Sequence, residues 1–143
     1  MPYSCSDPHY YVGQIAGSGQ CVALIQIACA APNTGSWMKG EKVRGNHSIP
    51  RGSAIATFIN GSYPSHATGN HAAIYLGQDD QGLIVIDQWH GQATHERRIH
   101  FRGDPLAGAG AKLRASRGAK RIELPIPLPR SGKLFHNMLG CLD

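Results

Sequence analysis

The feature that most constrains the fold of this chain is a pair of apolar segments joined by a short polar turn. Residues 71–76 and 83–89 are rich in the β-branched, aliphatic and aromatic side chains that favour strands. The residues between them, 77–82, are mostly polar, with a glycine at each end. A connection of this kind joins neighbouring antiparallel strands. The sequence therefore predicts a β-hairpin across residues 71–89.

A helix is predicted upstream of the hairpin. Gly-Ser-Gly at residues 17–19 is followed by an apolar run that Pro32 ends. Turn residues before such a run and a proline after it indicate a buried helix, here from residue 20 to 31. Cys21 then lies in the first helical turn.

The rest of the chain gives weaker signals. Residues 54–58 and 97–101 are predicted to be short strands, whereas glycines and prolines make residues 33–53 irregular. Residues 103–121 are predicted to be a loop or weak helix, and the prolines of residues 122–128 allow at most an edge strand there. A helix followed by a sheet within 143 residues indicates a single α+β domain, residues 1–143.

The balance of charge favours an anionic partner. The formal net charge is +5 and the isoelectric point about 9.2, which suits nucleic acid, a wall polymer or an acidic protein. Aromatic residues make up only 7% of the chain, too few for the stacking platform of a single-strand nucleic-acid binder. No run of about 18 apolar residues and no leader-like N-terminus is seen, so neither membrane insertion nor a signal peptide is expected.

The cysteines and histidines do not have metal-site spacing. Cys5, Cys21, Cys29 and Cys141 form no Cys-x-x-Cys pair, and no His-Glu-x-x-His occurs, so neither a metal nor another cofactor is predicted. Cys5 and Cys141 are one candidate disulfide pair because the ends of a domain often lie close together. Cys29 is most simply a core residue, and the pairing stays open.

Three residues could form a nucleophilic site. A helix N-terminus lowers the pKa of a thiol and offers free N–H groups to an oxyanion, so Cys21 is placed to act as a nucleophile. His71 opens the first hairpin strand, and the second strand returns Asp87 or Gln88 beside it. An acid directly after four apolar residues is explained if Asp87 orients His71 as the general base. A core cysteine and two capping residues are the structural alternative.

These residues stand in blocks that resemble a known enzyme class. The blocks are Gly-Gln-Cys-Val-Ala-Leu at 19–24, Ala-Ile-Ala-Thr-Phe at 54–58, Gly-Asn-His-Ala-Ala-Ile-Tyr-Leu-Gly at 69–77 and Asp-Gln-Trp at 87–89. Their order resembles that of papain-like enzymes, including the NlpC/P60 and CHAP amidases. The similarity is more specific to the compact amidase effectors of type VI secretion, nearest their third group, and covers residues 12–102.

The resemblance implies a compact papain-like fold and a peptidoglycan amidase. It implies that the protein leaves its producer through the type VI secretion apparatus without a signal peptide and acts in the periplasm of a target Gram-negative cell. A cognate periplasmic immunity protein is implied as a partner. The third group is implied to cut the crosslink between meso-diaminopimelate and D-Ala.

Carried onto this chain, the resemblance makes Cys21 the nucleophile, His71 the base and Asp87 the orienting group. The predicted substrate-binding residues are Gln20, Trp37, Gln88 and Trp89. Trp37 is expected either to form a wall of the substrate site or to anchor its own loop. Gln88 is also the alternative orienting group, and Trp89 is expected to shield the His71–Asp87 contact. The second oxyanion donor stays open among Tyr10, Tyr11, Gln14 and Gln20.

Two other functions fit the same residues. A Cys-His-Asp triad also serves glutamine deamidases and transglutaminases. A basic chain without any activity could be a binding module for nucleic acid or wall glycan.

Overall fold

The computed structural model describes residues 3–64 and 70–101, together with the backbone of residues 135–139. The described elements are α1 (Cys21–Ala28), a 3₁₀ turn (Thr34–Ser36), β1 (Met38–Lys42), β2 (Ala54–Thr57), β3 (Ala72–Gln78), β4 (Gly82–Trp89), β5 (Gln92–His100) and β6 (Phe135–Leu139). The predicted α+β class is confirmed. The predictions for residues 103–121 and 122–128 lie outside the described residues.

The strands form one antiparallel sheet in the order β1-β6-β2-β3-β4-β5. The predicted hairpin is confirmed as β3 and β4, in a register that pairs Ile74 with Ile86. Alternate residues of a strand point to opposite faces, so Asp87 and Gln88 point to different sides of the sheet. This register decides which of the two can meet His71.

Strand β5 is longer than the predicted 97–101. It begins at Gln92, and its residues pair with β4 along almost the whole of that strand. Its exposed positions carry charged side chains such as Glu96 and Arg98, whereas Thr94 and Ile99 are buried. Residues 92–96 contain few apolar side chains, so the sequence does not mark them as part of a strand.

The helix α1 packs against β3 and β4 and is shorter than predicted. Leu24 and Ile25 are fully buried in this contact. The helix ends at Ala28 because Cys29 is its C-cap and Ala30 takes a left-handed backbone conformation with φ 51°. The end therefore precedes Pro32 by several residues.

The prediction that residues 33–53 are irregular is wrong for residues 38–42. These residues form β1, an edge strand that pairs with β6. Its sequence, Met-Lys-Gly-Glu-Lys, is exposed at four of its five positions and so has no apolar alternation. Backbone pairing with a distant segment creates this strand, and local sequence does not encode it.

The side chains of residues 3–64 and 70–101 form two buried clusters. One joins α1 to the sheet and contains Leu24, Ile25, Trp37, Ile74 and Ile86. The other is built around Ile55, Tyr75, Val85 and Ile99. The sheet thus has apolar residues on both of its faces. A charged side chain buried against either face needs a partner of opposite charge or a hydrogen bond.

A disulfide joins Cys5 to Cys29. The candidate pairing of Cys5 with Cys141 is therefore wrong, and Cys29 is more than a core residue, while Cys141 lies outside the described residues. The disulfide fastens the N-terminal segment to the C-cap of α1, and Cys21 remains a free thiol. Within the described part of the chain, no helix is long and apolar enough to cross a membrane.

Candidate active site

The local backbone presents Cys21 as the first residue of α1. Gly19 has φ 83°, a left-handed conformation that a residue with a Cβ adopts at a cost, and Gln20 is an extended N-cap. The side chain of Gln20 makes no capping hydrogen bond, so it does not occupy the backbone N–H groups of Cys21 and Val22. The thiol of Cys21 is partly buried at this end.

Gln88 holds the segment that leads into the helix. Its side-chain Oε1 accepts hydrogen bonds from the Ala16 N–H at 2.9 Å and the Thr94 hydroxyl at 3.0 Å. Its Nε2 donates to the carbonyl oxygens of Ala16 and Gln20, each at 2.8 Å. Gln88 is fully buried. Its polar atoms are thus occupied within the protein, which is at odds with the predicted substrate contact and with the alternative orienting role.

His71 lies directly before β3 and is buried. Its backbone N–H donates to Thr57 Oγ1 at 3.0 Å, which fixes the start of the strand. Its ring Nε2 is 2.6 Å from Asp87 Oδ2. The ring also hydrogen-bonds to the Cys21 side chain, and since Nε2 is engaged by Asp87, Nδ1 is the nitrogen left for sulfur. The structure therefore brings Cys21, His71 and Asp87 together in the predicted order.

Arg97 completes this array and was not singled out by the sequence. Its Nε lies 3.0 and 2.9 Å from the two oxygens of Asp87, and its Nη2 lies 2.6 Å from Oδ2. The Asp87 side chain is 0% exposed and that of Arg97 is 10% exposed. The guanidinium neutralises a buried carboxylate that has no access to water. In the sequence, Arg97 is one of several basic residues, and only the pairing of β4 with β5 distinguishes it.

The electrostatics favour a thiolate and an imidazolium. Burial raises the pKa of Cys21, but the hydrogen bond and charge of His71, the Ala72 N–H and the Tyr63 hydroxyl together bring this pKa below its ordinary value. Burial lowers the pKa of His71, but its bonds to Asp87 and Cys21 outweigh burial and raise the pKa to about 9. Burial raises the pKa of Asp87, whereas His71 and Arg97 lower it by more. The group is arranged for nucleophilic attack.

Tyr63 is a second residue that sequence reasoning missed. Its hydroxyl oxygen lies 3.8 Å from Cys21 Sγ and accepts a hydrogen bond from Asn70 Nδ2 at 3.4 Å. Its ring packs edge-on against Trp37, with ring centroids 5.0 Å apart. Asn70 belongs to the Gly-Asn-His block, which gave a partial signal. Tyr63 lies in a turn-rich stretch after β2 with no pattern to mark it.

The remaining predicted substrate residues are placed as follows. Trp37 is 2% exposed and donates its indole N–H to the Pro32 carbonyl at 2.9 Å, so its burial is at odds with a substrate wall. Trp89 is partly buried, lies 4.9 Å from the Arg97 guanidinium carbon and packs against His95. Trp89 thus lies beside Arg97, the partner of Asp87, and its shielding of the His71–Asp87 contact stays a prediction. Gln20 is exposed beside Cys21.

Comparisons with known proteins agree on one family. Residues 1–113 match the model of the family described as "Domesticated amidase effector 2". A type VI secretion amidase effector 2 protein from Salmonella typhi is 47% identical over 76 residues, which are 53% of this chain and 57% of that protein. The chain thus spans a little over half the length of this relative. A domesticated amidase effector 2 from Ixodes scapularis is 36% identical over 68% of this chain and 71% of its own.

A solved structure agrees as well. A type 6 secretion amidase effector 2 (Tae2) superposes with a TM-score of 0.66 at 37% identity, covering 72% of this chain and 78% of that chain. These comparisons name the second group of amidase effectors, whereas the sequence motifs suggested the third. The effector resemblance itself is confirmed. On the match of more than three quarters of its length, this chain belongs to the domesticated amidase effector 2 family.

Proposed function

We propose that this protein is a papain-like cysteine amidase that hydrolyses peptide bonds in bacterial peptidoglycan. The observation that carries the chemistry is the buried contact of 2.6 Å between His71 Nε2 and Asp87 Oδ2. The imidazole of His71 also hydrogen-bonds to the side chain of Cys21, the first residue of α1. A nucleophile, a base and an orienting acid in this arrangement form the functional unit of cysteine hydrolases.

The reaction follows from the protonation states. The Cys21 thiolate attacks the carbonyl carbon, a C–S bond forms, and the π electrons of the carbonyl move to its oxygen. As the oxyanion collapses, the C–N bond breaks and the His71 imidazolium gives its proton to the leaving amine. Water then loses a proton to neutral His71 and attacks the thioester. The thiolate leaves, and the imidazolium–thiolate pair is restored.

Asp87 and Arg97 give the base its setting. The carboxylate fixes the ring of His71 so that one nitrogen faces the sulfur. The guanidinium offsets the carboxylate charge, and the Asp87–Arg97 pair is close to neutral as a unit. An uncompensated carboxylate would hold the proton on His71 more strongly. Arg97 therefore helps to keep the imidazolium acidic enough to protonate a leaving amine.

The substrate class rests on the relatives. The names of three similar proteins contain amidase effector, and two contain type VI or type 6 secretion. The net charge of +5 suits attraction to an anionic wall polymer. We assign the cleaved bond to the crosslink between meso-diaminopimelate and D-Ala. This assignment comes from the sequence motifs, which implied it through the third group of effectors, since the names of the second-group relatives specify no bond.

The biological setting is part of the proposal. The protein is exported through the type VI secretion apparatus, acts in the periplasm of a target cell and is inhibited by a cognate immunity protein in its producer. The Salmonella relative supports this route by its name. The name of the relative from Ixodes scapularis contains amidase effector but does not mention secretion.

The proposal is tested by digesting purified Gram-negative sacculi and measuring the masses of the released fragments. Wild type is expected to convert crosslinked dimers to monomers that end in D-Ala. His71→Ala is expected to release none, and His47→Ala, which changes an exposed histidine, should match wild type. Fragments cut between D-Glu and diaminopimelate would show that a different bond is cleaved and would still support an amidase. Intact sacculi after treatment with wild type would overturn the proposal.

The same experiment separates the alternatives. A deamidase or transglutaminase would leave the sacculi uncut and release ammonia from a protein glutamine. A binding module would hold the sacculi without cutting them, and Cys21→Ala would bind as well as wild type. Its affinity would also fall steeply with added salt.

A further inference from the structure

The proposed reaction places negative charge on the carbonyl oxygen of the substrate, and one donor for it is evident. This donor is the backbone N–H of Cys21 at the start of α1. A second donor was sought in the sequence among four residues. Tyr10 is 65% exposed, and Gln14 and Gln20 are exposed as well, with Gln14 donating to the Tyr10 carbonyl. Tyr11 is partly buried against the apolar cluster between α1 and the sheet.

The Tyr63 hydroxyl lies where such a donor is needed. It is 3.8 Å from Cys21 Sγ, the atom that attacks the carbonyl carbon. In the tetrahedral intermediate the carbonyl carbon is bonded both to Cys21 Sγ and to the oxyanion. The oxyanion therefore lies two bonds from the sulfur and close to a group that contacts the sulfur. The contact of the Tyr63 ring with Trp37, which is buried, holds the hydroxyl in place.

Asn70 fixes the direction of the hydroxyl proton. Its Nδ2 donates to the Tyr63 oxygen, which therefore acts as the acceptor on that side. A hydroxyl has one proton to donate, and with Asn70 as its donor it must direct that proton elsewhere. Cys21 Sγ is the hydrogen-bond partner on its other side. The proton of Tyr63 thus points at the reacting atoms.

The hydroxyl also keeps its proton where the thiol has lost its own. Burial and the nearby charge of Cys21 raise the pKa of Tyr63 well above its ordinary value, while Cys21 titrates below its own ordinary value. At any pH between the lowered pKa of Cys21 and the raised pKa of Tyr63, a thiolate and a neutral tyrosine therefore coexist.

We propose that Tyr63 is a catalytic residue that donates its hydroxyl hydrogen bond first to the Cys21 thiolate and then to the substrate oxyanion, with Asn70 as its positioning residue. When the C–S bond forms, the charge leaves sulfur for the carbonyl oxygen, and the hydroxyl follows it. Tyr63 keeps its proton throughout, and the proton for the leaving amine comes from His71. This role rests on the proposed amidase activity.

Asn70 has a further polar atom beside the site. Its Oδ1 is buried and has no hydrogen-bond partner in the described part of the chain. The amide is thus turned so that its N–H group meets Tyr63, although its oxygen goes unpaired.

The test is Tyr63→Phe, which removes one oxygen and keeps the ring against Trp37. On a purified crosslinked muropeptide dimer, kcat is expected to fall roughly 100- to 1000-fold, as on loss of one oxyanion donor, with KM changed little. Tyr75→Phe is the matched control. It deletes a hydroxyl that is bonded to Gln78, and wild-type kcat is expected.

Asn70→Asp tests the direction of the proton. A carboxylate oxygen in place of Nδ2 accepts from Tyr63 and turns the hydroxyl away from sulfur. The variant is expected to lose kcat as Tyr63→Phe does and to raise the pH at which Cys21 becomes reactive to iodoacetamide. The new carboxylate also raises the pKa of Cys21 through its own charge. The same upward shift is therefore expected in Tyr63→Phe, which adds no charge, and an unshifted pH in Tyr63→Phe would contradict the hydrogen bond to sulfur.

The outcomes separate the two proposals. Wild type that leaves the dimer uncut overturns the amidase proposal and the oxyanion role with it. A wild type that cuts the dimer, with Tyr63→Phe within twofold of it in kcat, sustains the amidase and overturns the role of Tyr63. A rise in KM alone would make Tyr63 a binding residue and would also overturn the role.

Discussion

Replacing Asp87 with asparagine is expected to affect the fold as well as the chemistry. The substitution keeps the shape of the side chain and its ability to accept from His71 Nε2, but it removes the negative charge. Arg97, which is 10% exposed and has three contacts of 2.6–3.0 Å to this carboxylate, then keeps a buried positive charge without a counterion. Breaking a buried ion pair by removing one partner costs about 3–5 kcal/mol.

The assay is urea denaturation followed by circular dichroism. The midpoint for Asp87→Asn should fall by the amount that corresponds to this loss, with the slope unchanged. Because most of the loss comes from the charge left on Arg97, the double variant Asp87→Asn with Arg97→Met should recover the larger part of it. Arg97→Met supplies an unbranched side chain of similar length for the space against Trp89.

Asp79→Asn is the matched control. Asp79 also pairs with an arginine, Arg98, but both side chains are exposed, at 38% and 41%. Its backbone contacts to Gln81 and Gly82 can be kept by an amide oxygen. Little change in its midpoint is expected because solvent screens the exposed pair. An Asp87→Asn variant as stable as wild type, or a double variant no more stable than the single one, would refute this reasoning.

Four further predictions concern the nucleophile, its base, the backbone segment before the nucleophile and the disulfide. Alkylation of Cys21 by iodoacetamide should begin at a lower pH than for an ordinary thiol, and His71→Ala should move that onset upward. An unchanged onset would contradict the coupling. Hydrolysis should fall as the pH rises through about 9, since the imidazolium of His71 is lost there, and a rate that continued to rise would contradict its acid role. Gln88→Met should lower stability by roughly 1–3 kcal/mol for each backbone group left unpaired, as well as reduce kcat, while a stable and active variant would show that Gln88 does not hold the loop. Reduction of the Cys5–Cys29 disulfide, whose cysteines are 24 residues apart, should cost about 3 kcal/mol in a denaturation experiment, and equal midpoints with and without reductant would contradict this.

The parts of the fold predicted from the sequence are those with a local signature. The hairpin of β3 and β4 has strand-forming residues on both sides of a glycine-bounded turn, and α1 follows a glycine-rich turn. The meeting of Cys21, His71 and Asp87 follows from these elements, because the hairpin brings Asp87 back beside His71, the residue directly before β3. Local patterns were sufficient where neighbouring segments form the contact.

The missed features depend on contacts between distant segments. Strand β1 exists through its pairing with β6. Arg97 and Tyr63 meet the site from β5 and from the stretch after β2, and neither has a pattern that separates it from similar residues. The disulfide partner of Cys5 is set by where α1 ends. No spacing rule encodes such contacts, and the tertiary fold decides them.

Gln88 shows how burial reverses an interpretation. The sequence predicts a substrate contact for Gln88 because it is a polar residue at the end of the strand that returns beside His71. In the structure it is fully buried and uses both polar atoms on the segment before Cys21. Gln88 holds the backbone segment that leads to Cys21, and it points to the opposite face of the sheet from Asp87.

The central claim is that the Cys21 sulfur performs the hydrolysis, and the rate at which Cys21→Ala releases fragments from sacculi tests it most directly. The variant should fold as wild type does, with a free energy of unfolding within about 1 kcal/mol of the wild-type value. It is predicted to release no fragments above the enzyme-free background, while wild type digests the sacculi. Release by Cys21→Ala at a rate comparable to wild type would contradict the account.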